Sequence, residues 1–334
     1  MYAPLLFLSA LSLSTSLLLA PPSLNQGARQ TTALGAVGAL ARGALLRAAQ
    51  TDLDALPSTS PLLPILAQIT PADSSPPPPS SPTFLKSVLT KRRGTLTVLA
   101  QPPAAFLAVR PPASTSSLFR SFNAASLASD NLETLAAYAK ENAGIPGSSI
   151  PAPMPILYAG ITVSPLSIAL AKEAGASAFA IYLAVTGEPL GRSLYESSQR
   201  AGMEAVVVCE TAEEIKVAVE MGAGIVCVSS SEAVEVKASW RADLIPEGVC
   251  AVARLSSAGT GDLSEIEESW QLRDAGYQSV WAVACLHKAS GDDAEHAGAV
   301  VQAMRSKASV KWASVKSMSG KGEGSKEYLG DLML

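Results

Sequence analysis

Residue types that commonly hold metals or carry catalysis are scarce in this chain, which has four cysteines and two histidines among 334 residues. No CxxC pair occurs, which argues against a zinc site or a disulfide framework. The sequence around neither histidine forms a triad or metal-binding pattern. GxGxxG, P-loop and HExxH patterns are missing as well. We therefore expect no metal or cofactor, and we expect buried, hydrophobe-like cysteines in or just after strands: Cys209, Cys227, Cys250 and Cys285.

An excess of positive charge is also missing, since the net charge is −4 and the pI is about 5.4. This balance argues against a nucleic-acid surface. The basic clusters at Lys91–Arg93 and between Lys307 and Lys326 are predicted to be solvated flanks of the folded domain. The apolar run Leu5–Ala20 is too short for a membrane span, so we expect no transmembrane span in the mature protein.

The first part of the chain has the composition of a targeting leader. Residues 1–28 contain no charged side chain, and Leu5–Ala20 suits the apolar core of a signal peptide. Gln26–Gln50 is rich in Ala and Thr, carries arginines and no acid, and is typical of a transit peptide. A signal-like segment before a transit-like one resembles the bipartite leaders of algae with secondary plastids. We therefore predict a leader over residues 1–50 and a plastid location, with mitochondrial import and secretion as alternatives.

Composition predicts three further regions. Residues 51–83 are rich in Pro and Ser and are expected to be extended or disordered. Leu62–Ile69 within them is apolar but is interrupted by Pro64, so a helix is not expected there. The folded domain is predicted over residues 84–310, and a flexible, Lys/Gly/Ser-rich tail over residues 311–334.

The most informative pattern is a segment type that occurs four times: an amphipathic stretch, then a glycine, then a short apolar run. A glycine in this place is typical of a helix C-terminus that leads into a strand. The apolar runs do not alternate, which indicates strands buried on both faces, as in a parallel sheet. The four junctions are Glu173–Gly175, Arg200–Gly202, Glu220–Gly222 and Asp274–Gly276.

Helix and strand patterns alternate over the rest of the domain and predict six clear strands between residues 156 and 284. Thr95–Ala100 reads as an additional first strand and Phe106–Val109 as a second, between prolines. Asp130 or Asn131 is expected to cap one helix, and Thr211 with Glu214 forms a capping box for another. The count favours a TIM (β/α)8-type barrel over an open sheet, with an abbreviated first or second unit left open.

Several segments resemble the indole-3-glycerol phosphate synthase family, the (β/α)8 enzymes of tryptophan biosynthesis. The similar segments lie between residues 131 and 305, and they are Pro155–Ala176, Ala205–Ile215, Gly222–Ser231, Leu244–Glu247 and Asp274–Leu286. The resemblance implies a phosphorylated, anthranilate-derived substrate and a decarboxylating ring closure at the carboxyl ends of the strands.

The family's functional residues are not retained at the matching positions. The catalytic lysine after strand three falls on Ala159, the neighbouring aspartate on Gly160, and the glutamate of strand five on Val208. Further family positions fall on residues that cannot supply the same chemistry: Val98–Ala100, Ser229 or Ser230, Ser231, Arg254, Leu255, Ser256 and Val283–Cys285. Alanine and valine cannot transfer protons, so the resemblance implies a scaffold without the parent reaction.

Some polar residues remain where the strands end. If catalysis survives, Glu210 and Arg254 are the candidate catalytic residues, although Arg254 could instead pair with Glu210 at the rim. The loop after strand seven supplies weak candidates for a phosphate site, namely Ser256, Ser257, Gly259 and Gly261.

Two functions remain open. One is a synthase-like barrel without catalysis that serves as a structural or interaction protein with an unidentified protein partner. The other is a diverged but active synthase, or another phosphosugar-handling lyase or isomerase, with a phosphorylated small molecule as its ligand. A mouth closed by Leu255, Val208 and their neighbours would favour the first function, and an open polar pocket the second.

Overall fold

Eight parallel strands of the computed structural model close into a barrel in the order β1 to β8, and β1 pairs with β8. The structure describes residues 39–57, 60–70, 84–90, 94–146, 152–255, 264–283, 286 and 294–306. The predicted TIM (β/α)8 barrel is therefore confirmed. The strands are β1 Thr97–Ala100, β2 Ser126–Ser129, β3 Ile156–Tyr158, β4 Ala178–Tyr182, β5 Glu204–Cys209, β6 Ile225–Val228, β7 Cys250–Arg254 and β8 Ser279–Ala282.

Helices surround the barrel and precede it in the chain. Those before the first strand are α1 Ala39–Asp54, α2 Leu62–Ile69 and α3 Phe84–Leu89. Those after it are α4 Ala104–Val109, α5 Pro112–Ser121, α6 Leu132–Ala143, α7 Pro165–Glu173, α8 Leu183–Ala201, α9 Ala212–Glu220, α10 Val234–Asp243, α11 Ser264–Asp274 and α12 Ala294–Ser306. No helix in the described part of the chain is both long and apolar enough to cross a membrane.

Burial on both faces of the strands explains why their sequences lack alternation. Every residue of β5, β6 and β8 is buried. Val206, Cys227 and Trp281 belong to the cluster inside the barrel, whereas Val207 and Val226 pack in the layer between strands and helices. Cys209, Cys227 and Cys250 are free and buried, as predicted, and Cys285 lies outside the described residues.

The four recurring glycines end their helices in the left-handed region. Their φ angles are 88° at Gly175, 66° at Gly202, 77° at Gly222 and 99° at Gly276. A side chain is strained at such angles, which is why glycine stands at each junction. Gly175 has a second constraint, because an added Cβ would lie 2.5 Å from the Cβ of Ala139 on α6. Nothing lies within 4 Å of a Cβ added at Gly222.

We expect Gly175→Ala to destabilise the barrel more than Gly222→Ala. Both substitutions impose backbone strain of about 1 kcal/mol at positive φ. Only Gly175→Ala adds overlap with Ala139, which brings its total loss to about 2–3 kcal/mol. Urea unfolding followed by circular dichroism measures both losses, with Gly222→Ala as the matched control. Equal losses for the two variants would contradict the close packing of α6 against this junction.

Side-chain caps begin two of the helices as the sequence indicates. The Asn131 side chain accepts a hydrogen bond from Thr134 N at 2.9 Å and caps α6. The Thr211 hydroxyl accepts from Glu214 N at 3.3 Å at the start of α9. The Glu214 carboxylate accepts from Glu210 N at 2.6 Å, one residue before the cap residue itself. This bond fixes the backbone where β5 turns into α9, next to a candidate site residue.

Helix α3 closes the amino-terminal end of the barrel. Leu85 and Leu89 are fully buried among the interior side chains. The Glu204 carboxylate, on β5, accepts hydrogen bonds from Leu85 N and, at 2.9 Å, from Lys86 N. At the other end of α3, the Thr97 hydroxyl donates to Leu89 O at 3.0 Å. The barrel therefore holds both ends of this helix, and the helix covers the amino-terminal end of the barrel interior.

The predicted second strand is wrong. Residues 104–109 form α4, and the second strand is β2, Ser126–Ser129. Pro103, whose backbone is extended, stands at the N-cap of α4, where a missing N–H costs nothing. Phe106 packs against Phe119 of α5 with ring centroids 5.8 Å apart. A short apolar run fits either a strand or a helix. In this segment, the packing of Phe106 against Phe119 favours the helix.

The expectation of an extended segment over residues 51–83 is wrong for Leu62–Ile69, which form α2. Pro64 is the third residue of this helix, within the first turn, where the N–H has no partner inside the helix. Ile69 is fully buried, and α2 packs on α7 and α8. Helix α1 likewise runs across residue 50, the expected end of the leader. Residues 71–83 and the tail from residue 307 lie outside the described part of the chain.

Candidate functional site

The candidate site is the mouth of the barrel, where the strands end at their carboxyl termini. In (β/α)8 barrels this end carries the functional groups. Its floor is formed by two large interior side chains, Trp281 on β8 and Tyr182 on β4, which are 0% and 5% exposed. Val208 on β5 lies beside them in the same cluster and is 2% exposed.

The polar atoms of the floor are already paired. Trp281 Nε1 donates to Gln101 Oε1 at 3.0 Å, and the Tyr182 hydroxyl donates to Ala159 O at 2.8 Å. Burial raises the pKa of Tyr182 to about 12, although the neighbouring Arg254 opposes the shift. Tyr182 is therefore neutral near pH 7 and acts as a structural donor rather than as a base.

Arg254 stands at the end of β7, next to Trp281 in the register of β7 with β8. Its guanidinium carbon lies 5.5 Å from the centroid of the Trp281 ring, a cation–π contact. Arg254 is half-buried. The guanidinium has no hydrogen bond and no ion pair with any other residue that the structure describes.

Glu210 follows β5, two strands away from Arg254, and is also half-buried. Burial raises the pKa of its carboxyl group, Glu214 raises it further, and Arg254 lowers it. Within the described residues the expected Glu210–Arg254 pair at the rim is not formed as a direct contact, although each group lies in the other's field. The two groups therefore face the mouth separately.

The three positions that the sequence resemblance aligns with a lysine, an aspartate and a glutamate of the synthase family hold no acid or base. Ala159 is 6% exposed and Val208 is 2% exposed, both inside the barrel. A Cβ added at Gly160 would overlap the ring of Tyr158, so the site of the family's aspartate is filled by a neighbouring side chain. Burial raises the pKa of Tyr158 to about 12, and Asp130 adds to the shift.

Of the two residues named as possible closures of the mouth, Val208 lies inside the barrel and Leu255 does not. Leu255 is buried in the layer between the strands and the helices, because successive residues of β7 point to opposite faces and Arg254 points inward. Trp281 and Tyr182 lie inside the barrel with Val208. The sequence analysis missed both residues, although their positions in apolar strand segments offered the signal. The loop candidates Ser256, Ser257, Gly259 and Gly261 lie outside the described residues.

In the described residues, no group of three or more His, Cys, Asp or Glu side chains could hold a metal ion. The candidate polar groups at the mouth are therefore the Arg254 guanidinium and the Glu210 carboxyl group. The polar atoms of the floor already form hydrogen bonds within the protein. This arrangement is suited to holding a small polar ligand above the floor.

No protein-family model matches the chain, and no curated protein matches it. Among solved structures, it is similar to orotidine 5′-phosphate decarboxylase from Pyrococcus horikoshii OT3 at 14% identity and a TM-score of 0.46, over 63% of this chain and 99% of that one. It is similar to a cube-shaped, highly porous designed protein cage at 16% identity and a TM-score of 0.45, over 64% and 71% of the two chains. These similarities are too distant to support a function. The strand pairing itself defines the class, a TIM (β/α)8 barrel.

Proposed function

We propose that this chain is an indole-3-glycerol phosphate synthase-like barrel that does not catalyse the family's reaction and serves as a structural or interaction protein. One observation carries the proposal. The positions that match the catalytic lysine and glutamate are Ala159 and Val208, which are buried in the apolar interior. The Tyr158 ring supports it, because it occupies the space that a side chain at Gly160 would need and would have to move to admit a carboxylate.

General acids and bases each contribute roughly 10²–10⁴-fold to a rate. Removing several of them from one mechanism is not additive, but it leaves no group to move the protons of the ring closure. Glu210 and Arg254 lie elsewhere on the rim and do not replace a lysine after β3 or a glutamate within β5.

The test is a turnover assay on the full chain, produced in a host that lacks its own synthase. With the family's anthranilate-derived phosphate substrate, we expect no formation of indole-3-glycerol phosphate above the buffer blank. An active member of the family serves as the positive control. Turnover that disappears in a Glu210→Gln or Arg254→Met variant would overturn the proposal and would support the diverged-enzyme alternative.

The alternative, a diverged synthase or another phosphosugar-handling enzyme, makes a different prediction in the same preparation. A phosphorylated sugar or anthranilate derivative at 100 times its dissociation constant should stabilise the fold by about 2.7 kcal/mol. Stabilisation accompanied by turnover supports this alternative, whereas the absence of turnover supports the non-catalytic barrel whether or not a ligand binds.

The plastid location is part of the proposal and is supported by the leader composition of residues 1–50. The interaction role predicts that the protein co-purifies with a stable partner from isolated plastids of the source organism, as identified by mass spectrometry. Recovery of the protein from another compartment contradicts the location. Recovery from plastids as a lone monomer contradicts the interaction role.

A further inference from the structure

We propose that the mouth of this barrel binds a small ligand that places a carboxylate or phosphate group on Arg254 and a hydroxyl or amino donor on Glu210. This inference goes beyond the proposed function, because a barrel without catalysis can still hold a ligand. It rests on described residues of β4, β5, β6, β7 and β8.

The Arg254 guanidinium is the group that we propose binds the oxyanion of the ligand. It presents five N–H donors in a planar fork that matches the oxygens of a carboxylate or phosphate. Its face is held by the Trp281 ring at 5.5 Å, and its donors meet no acceptor among the described residues. By contrast, Arg241, in the helix layer, donates to Gly276 O at 3.0 Å and to Ile245 O at 2.7 Å. Within the described residues, stacking on Trp281 positions Arg254, and no described acceptor meets its hydrogen-bonding edge, which is the edge that we propose binds the ligand.

The second step concerns the space between Arg254 and Glu210. The register pairs Val208 with Cys227 and Cys227 with Val252. Continued by two residues, this register sets Glu210, Ser229 and Arg254 side by side at the mouth. One strand lies between the two charged residues, which separates their backbones by roughly 10 Å. Because they do not touch in the described structure, a small ligand can bridge them.

The third step concerns the chemistry of the ligand. A bare anion at Arg254 would meet repulsion from Glu210, whose carboxyl group interacts electrostatically with Arg254. A ligand with a hydroxyl or amino donor next to its oxyanion turns the Glu210 contact into a hydrogen bond. Trp281 and Tyr182 already donate their hydrogen bonds to other groups of the protein. They therefore limit how far the ligand enters the barrel and do not bind its polar groups. The geometry therefore favours small hydroxy acids, amino acids and protonated phosphates over simple carboxylates.

The test is calorimetric titration of the full chain at constant ionic strength with four probes: glycolate, glycine, acetate and inorganic phosphate. We expect glycolate or glycine to bind at least about tenfold more tightly than acetate, because each adds one donor for a charged acceptor. Binding of inorganic phosphate but not of the carboxylates would identify phosphate as the source of the oxyanion and supports the site, provided that Arg254 is required.

Arg254→Met should weaken binding by about 10- to 100-fold, the size expected for charged hydrogen bonds. Glu210→Gln should remove most of the preference for glycolate over acetate. Arg192→Met is the matched control, since Arg192 lies on α8, is 43% exposed and pairs with Glu188. Arg254→Lys keeps the charge and serves if Arg254→Met does not fold. Binding that is unchanged in both Arg254 variants, or no binding of any probe at tens of millimolar, overturns the inference.

Discussion

Replacing Glu268 with leucine should lower the free energy of unfolding by about 3–5 kcal/mol. Glu268 on α11 is 8% exposed, and its Oε1 accepts a hydrogen bond from Lys237 Nζ on α10 at 3.3 Å. Lys237 is fully buried, and Glu268 is the described residue that its ammonium group contacts. Without that carboxylate, the ammonium stays buried without a counter-charge, which is the costly part of breaking a buried pair. Urea unfolding, followed by circular dichroism and tryptophan fluorescence together, measures the loss.

The double variant Lys237→Met, Glu268→Leu is the control. Because it removes both charges, it should regain at least half of the stability that Glu268→Leu loses, as buried pairs replaced by apolar side chains often do. Lys237→Met alone should cost less than Glu268→Leu, since Glu268 has further polar contacts. A double variant as unstable as Glu268→Leu would show that the loss comes from packing rather than from the uncompensated charge.

Replacing Trp281 with alanine should cost about 3–5 kcal/mol, because it empties the barrel at the level of the mouth. Trp281 is fully buried and is the largest of the fully buried side chains in the described part of the chain. The substitution also removes the donor to Gln101 Oε1 and the ring that holds the Arg254 guanidinium. Thermal unfolding should show a midpoint lower by roughly 10 °C.

Trp240→Ala is the matched control for Trp281→Ala. Trp240 on α10 is only half-buried, at the edge of the outer core. Its replacement should cost less than half as much, because the smaller side chain leaves a solvated notch rather than a cavity. Similar losses for the two tryptophan variants would contradict the view that the interior of the barrel is packed up to the mouth.

Features that depend on neighbouring residues could be predicted from the sequence, whereas features that depend on long-range contacts could not. Gly175, Gly202, Gly222 and Gly276 were predicted from sequence alone because positive φ at a helix end depends on neighbouring residues. The cap at Asn131 is local in the same way. Two segments predicted as non-helical are helices, namely residues 104–109 and Leu62–Ile69. Such short apolar runs show neither a helical nor a strand periodicity. Packing on distant helices decides such segments.

The candidate site shows the same division. From its motifs, the sequence predicted that Ala159 and Val208 replace the family's acid and base, and the structure places both in the apolar interior. Which side chains close the mouth depends on which face of each strand turns inward once the barrel is closed. That parity placed Trp281 and Tyr182 inside the barrel and Leu255 in the layer between strands and helices.

By itself, the sequence determined the repeating units and the glycines that end the helices, because each depends on residues close together in the chain. Only the tertiary structure decided that Glu210 and Arg254 stand apart, with Trp281 beneath the guanidinium. Contacts across strands far apart in sequence are set by register and barrel closure. These long-range constraints determine which side chains lie at the mouth of the barrel.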